Sequence, residues 1–133
     1  MSRKQFWQGV DQFNHREFYS CHNTLEALWM DSVEPDRQFY QGILQLAVGC
    51  YHFGNHNWRG AVILLGEGIR QLSSYQPDYQ EIDVSSLLGE SQKLLHYLQQ
   101  TNSSEIAVVA KQFENISEND TQRFPYILTV NHQ

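Results

Sequence analysis

His22 and Glu26 stand four residues apart within a stretch of helical periodicity. That spacing sets two side chains on one face and suits either metal ligation or an acid–base pair. Further along, Gln41, Gln45, Val48 and His52 recur in steps of four, three and four, another polar stripe on one side of a helix. Polar groups removed from water need partners, so the two stripes are expected to satisfy one another, with His22, Glu26, Gln41, Gln45 and His52 converging. Three readings of that convergence stay open. It is a ligand pocket between helices, with Trp29 and Arg59 at its mouth; or it is a network that only fixes helix register, partner binding being carried by exposed aromatic or C-terminal surface; or it is a hydrolase site in which Glu26 orients His22 as base. A mononuclear divalent metal held by His22, Glu26 and His52 is a variant of the first. A small ligand and a second copy of the chain are the partners these readings imply.

Other chemistries lack their signatures. A ferritin-like dimetal centre wants Glu-x-x-His on two helices, and no Glu in this chain has a His three residues later. Cys21 adjoins His22, yet successive helical side chains point about 100° apart, so the two are no nucleophile–base pair. Gly60, Gly66 and Gly68 sit inside a helical pattern with no preceding strand or following lysine, which is not a phosphate loop. Nine Lys plus Arg against fifteen Asp plus Glu give a net charge of −6, with the basic residues scattered. This balance argues against nucleic acid and against anionic membrane. No apolar run approaches the roughly 20 residues that span a bilayer, and no apolar stretch follows the Arg3-Lys4 pair as a signal peptide would require. A cytoplasmic location is expected, with Cys21 and Cys50 as buried thiols rather than a disulfide.

The elements that must position these residues follow from the 3.6-residue period. Phe6, Trp7, Val10 and Phe13 mark a first helix, and Asn14 can end it and cap the next. The second should run over 15–30 with a core stripe of Phe18, His22, Leu25 and Trp29, which places a histidine where an apolar side chain is wanted. A third helix over 35–53 begins at Pro35-Asp36 and is apolar on so wide a face that it should be central. Gly42 and Gly49 lie on one side of it, as if a neighbouring backbone comes close. Asn57 can cap a fourth helix over 58–73, Asp83 a fifth ending near 100, and Ile106, Val109, Ala110 and Phe113 make a short sixth. Trp58, with Trp29 and Arg59, is a second aromatic for the pocket mouth, and Arg59 should pair with a carboxylate, Glu26 being one candidate. Residues 73–82 read as a loop, and Phe124-Pro125-Tyr126-Ile127 as an extended segment docked on the body. The expectation is a single all-α domain over 1–133, an antiparallel bundle of five to six helices with no sheet.

Phe13-Asn14, Phe18, His22-x-x-x-Glu26-x-x-Trp29, the run Phe39 to Ala47, Tyr51-His52, Asn57 and Arg59-Gly60-Ala61 together resemble the small helical proteins called domain of unknown function 309. The likeness covers about residues 6–72, leaving the helices and tail of 83–133 outside it. It implies an all-helical bundle, a polar signature on His22, Glu26, Trp29, Gln41, Gln45 and His52, and no assigned activity. Asn23 stands where that family carries a glutamate after the histidine. The wording of residues 55–65 is similar to cyanobacterial members, which implies a cyanobacterial source.

Overall fold

The computed structural model describes residues 2–114 and 123–130. Six α-helices occur among them: α1 Ser2–Asn14, α2 Phe18–Asp31, α3 Asp36–Gly54, α4 Trp58–Leu72, α5 Val84–Gln99 and α6 Ile106–Glu114. The apolar period of each stretch is what fixes these spans, and side-chain caps fix two of the starts. Asn57 Oδ1 accepts from the Gly60 amide at 2.9 Å, and Asp83 Oδ1 from the Ser86 amide at 2.9 Å. No helix among the described residues is long and apolar enough to cross a membrane.

α3 is the central helix, packed against α2 on one side and α4 on the other, while α1 extends the layer beyond α2 and α5 beyond α4. Its buried side chains Phe39, Ile43, Leu46, Ala47, Cys50 and Phe53 are fully removed from solvent. The approach of α4 is as close as the glycine spacing suggested. A Cβ on Gly42 would lie 2.6 Å from Leu72 Cγ, one on Gly49 would lie 3.0 Å from the Leu65 amide nitrogen, and one on Gly68 would lie 2.9 Å from the Gly42 carbonyl oxygen. Glycine is the only residue that admits this contact without moving a helix.

Two expectations need correcting. Residues 73–82 are not a plain loop, since Asp78–Tyr79 (β1) and Ile82–Asp83 (β2) pair as a short antiparallel hairpin. The turn residues Gln80 and Glu81 adopt φ of 48° and 69°, left-handed values that a side chain opposes. Arg3 fastens them, donating to Gln80 Oε1, the Gln80 carbonyl and Glu81 Oε2 at 2.8–2.9 Å. Strands this short carry no alternating pattern to read. Asn14, expected as a helix cap, also does something else. The N-cap of α2 is Glu17, which makes no side-chain cap bond, and the Asn14 amide grips the C-terminal segment, donating Nδ2 to the Ile127 carbonyl at 2.9 Å and accepting the Ile127 N–H at 2.8 Å.

That segment docks in extended form, as its composition indicated. Ile127 is buried, the Asp83 amide donates to the Leu128 carbonyl at 2.8 Å, and Thr129 bridges to Ile82, so the strap continues the hairpin. On α5, Ser91 is fully buried and its Oγ has no hydrogen-bond partner among the described residues. Desolvating an unpaired hydroxyl costs more than replacing it by carbon. Ser91→Ala is therefore expected to raise stability by about 1 kcal/mol in chemical denaturation; a loss would mean that the hydroxyl is paired.

Candidate functional site

α2 is rotated relative to the stripe inferred from its sequence. Its buried residues are Phe18, Cys21, Leu25 and Leu28, so His22 and Trp29 lie at the edge of the core rather than in it. Burial pushes the Cys21 thiol up to about 12 and the Cys50 thiol higher still, so neither supplies a thiolate at neutral pH.

His22 Nε2 lies 3.4 Å from Glu26 Oε2, with side chains 27% and 51% exposed, and His22 Nδ1 lies 3.2 Å from Asn23 Oδ1. The i,i+4 pair predicted by spacing therefore forms, but in contact with water. A deeply buried pair would cost several kcal/mol to break, whereas one this exposed contributes less than about 1 kcal/mol. His22→Ala should accordingly shift a thermal melt only slightly, and a loss of several kcal/mol would mean that the pair is buried.

His52 closes the last turn of α3. Asn57 Nδ2 donates to its Nδ1 at 3.4 Å, and the ring packs where Gly60 has no side chain, a Cβ there falling 2.9 Å from His52 Cδ2. Between α2 and α3, His22 and His52 share a cavity of about 120 Å³ with Phe18, Tyr19, Val48 and Tyr51. A second cavity of about 450 Å³ uses Phe18, Tyr19 and Tyr51 again and runs on past Ser20, Cys50, Gly54 and Asn55 to Glu17 and Glu114. The two cavities adjoin through this shared aromatic wall, a surface groove that Ala110 of α6 and Phe124 also border. Tyr19 and Tyr51, 59% and 39% exposed, stand at its rim with ring centroids 5.5 Å apart.

The rest of the expected network does not assemble. Gln45 Oε1 is buried without a hydrogen-bond partner among the described residues, and Gln41 and Gln45 face neither cavity. Trp29 lies under Arg37, whose guanidinium is 4.0 Å from the ring centre. Trp58 is tied to the fold by Nε1 donating to the Leu98 carbonyl at 2.7 Å. Arg59 is exposed, and the ion pair expected with Glu26 is not made, since Glu26 pairs with His22. The reason is the rotation of α2: with Cys21 and Leu28 inward, its polar side chains spread along the surface instead of meeting α3 at one point. Among the described residues no three His, Cys, Asp or Glu side chains gather as a metal-holding group, so His22, Glu26 and His52 do not form the mononuclear set.

At the far end of the groove, Arg16 is committed to structure. It has φ 67° at the turn between α1 and α2. It donates to the Pro125 and Phe124 carbonyls at 2.8 and 3.0 Å and stacks over Tyr126 at 4.0 Å. Burial lowers its pKa, but a guanidinium stays charged at neutral pH. Tyr19 and Glu17 went unnoticed in the sequence because neither falls on an apolar or polar stripe; only their position beside Phe18 marks them.

Residues 6–64 match the family described as Domain of unknown function (DUF309). A relative from Bacillus subtilis (strain 168), named Uncharacterized protein YpuF, is 35% identical over 60 residues, which are 44% of this chain and 34% of that protein. The match thus spans about a third of the relative's length. No solved structure matches the chain.

Proposed function

We propose that this helical domain, whose residues 6–64 match a family described only as a domain of unknown function, is a binding module whose groove between α2 and α3 takes a small organic ligand. The observation that carries this is the sharing of Phe18, Tyr19 and Tyr51 by two adjoining cavities, an aromatic wall with His22 and His52 on the smaller and Glu17 and Glu114 on the larger. The larger cavity, at about 450 Å³, lies in the size range of roughly 300–1,000 Å³ typical of small-molecule sites, and mostly apolar walls with a few polar groups are their usual lining. Binding without chemistry is favoured over hydrolysis. His22 pairs with Glu26 and Asn23 and His52 Nδ1 with Asn57, none of them a hydroxyl or thiol, and both cysteines are buried.

The test is an amide chemical-shift titration of the labelled protein with a set of neutral aromatic fragments. Shifts concentrated at residues 17–22 and 48–55 are expected. Shifts concentrated instead at the cavity between α5 and α6, lined by Lys93, Leu94, Tyr97 and Phe113, would place the ligand site elsewhere and overturn the assignment.

A further inference from the structure

Arginine lies over several of the aromatic side chains at this protein's surface. Arg3 lies 5.1 Å from the Phe6 ring centre and 4.8 Å from that of Trp7, Arg37 lies 4.0 Å from that of Trp29, and Arg16 and Arg123 lie 4.0 and 4.7 Å from that of Tyr126. Among the described residues no cation lies over Tyr19 or Tyr51, although this pair is well exposed. The charge around them is negative. Glu17 and Glu114 line the same groove and make no ion pair among the described residues, and Arg16, the one cation in the lining, is fastened to two backbone carbonyls. The chain as a whole carries −6.

We infer that the groove selects organic cations: an ammonium or guanidinium carried on an apolar body, its charge held against the Tyr19 and Tyr51 rings and Glu17. This rests on the groove being the ligand site. An aromatic face attracts a cation through its quadrupole, and a carboxylate beside it adds Coulomb attraction of the same sign. At Trp7, Trp29 and Tyr126 the protein's own arginines fill this position; at Tyr19 and Tyr51 it is left to the ligand. An anion would meet Glu17 and Glu114, with Arg16 the one cation among the described lining residues to offset them.

The experiment is calorimetric titration with three probes of one shape and different charge: naphthylmethylammonium, naphthylmethanol and naphthoate. The cation is expected to bind about tenfold more tightly than the neutral probe, with the anion weakest. Tyr51→Leu keeps an apolar wall without a ring face and Glu17→Gln removes the charge, and each should narrow the gap between cation and neutral probe. Equal binding of all three probes, or tightest binding of the anion, would overturn the cation preference while leaving the groove as a ligand site. So would a preference that persists unchanged in both variants. No binding of any probe would overturn both.

Discussion

Gly68→Ala is expected to destabilise the protein by about 2–3 kcal/mol, although alanine is intrinsically the better helix former by about 1 kcal/mol. The added methyl would stand 2.7 Å from Leu46 Cδ2 and 2.9 Å from the Gly42 carbonyl oxygen. A leucine can change rotamer, but a backbone carbonyl inside α3 can move only with its helix. The cost is therefore the separation of α3 and α4 along a contact that also includes Gly42 and Gly49. Gly66, two residues earlier on the same helix, has nothing within 4 Å of its missing Cβ. Gly66→Ala should accordingly gain about 0.5–1 kcal/mol from propensity alone. Urea denaturation of the two variants isolates packing from propensity, because both make the same chemical change. Effects of equal sign would show that α4 does not approach α3 this closely.

The second large effect is expected at Asn14. Its side chain makes two hydrogen bonds to Ile127, whose side chain is buried against the helices. Asn14→Ala removes both bonds and leaves a partly buried N–H and C=O without partners, a loss of about 2–3 kcal/mol. Because the change acts at the strap, hydrogen exchange should accelerate first at residues 124–130 and least in α3. Uniform acceleration across α3 and the strap would mean that Asn14 supports the bundle itself. Asn14→Asp, which keeps the acceptor but not the donor, should lie between the two.

The helices were legible because each is long enough for its apolar period to repeat, and Asn57 and Asp83 marked two of their starts. The face that α2 buries was not. Phe18 and Leu25 belong to two competing stripes, one completed by His22 and Trp29 and the other by Cys21 and Leu28. A rotation of one residue separates them, and α2 takes the second, more apolar set. The expected convergence of polar side chains failed with that rotation, since it had assumed His22 to point into the core. What survived is the nearness of His22 and His52, which depends only on α2 and α3 lying side by side. The close contact of α3 and α4 could be read from Gly42 and Gly49, because glycine in a central helix is costly unless backbone comes near. The grip of Asn14 and Arg16 on residues 124–127 could not. It joins positions more than a hundred residues apart in sequence, and an Asn between two helices reads first as a cap. Tyr19 escaped notice for a related reason: an exposed aromatic on a helix has no periodic signature, and its role emerges only when Tyr51 of the next helix is seen beside it.

The groove between α2 and α3 is tested most directly by filling it. Gly54, the last residue of α3, lines the larger cavity, and nothing lies within 4 Å of the place its Cβ would take. Gly54→Leu should therefore leave the melting temperature within a few degrees of the parent while occupying the space that a ligand needs. Titrated with naphthylmethylammonium, this variant should bind at least tenfold more weakly than the parent. A folded Gly54→Leu protein that binds the probe as tightly as the parent would contradict the placement of the ligand site in this groove.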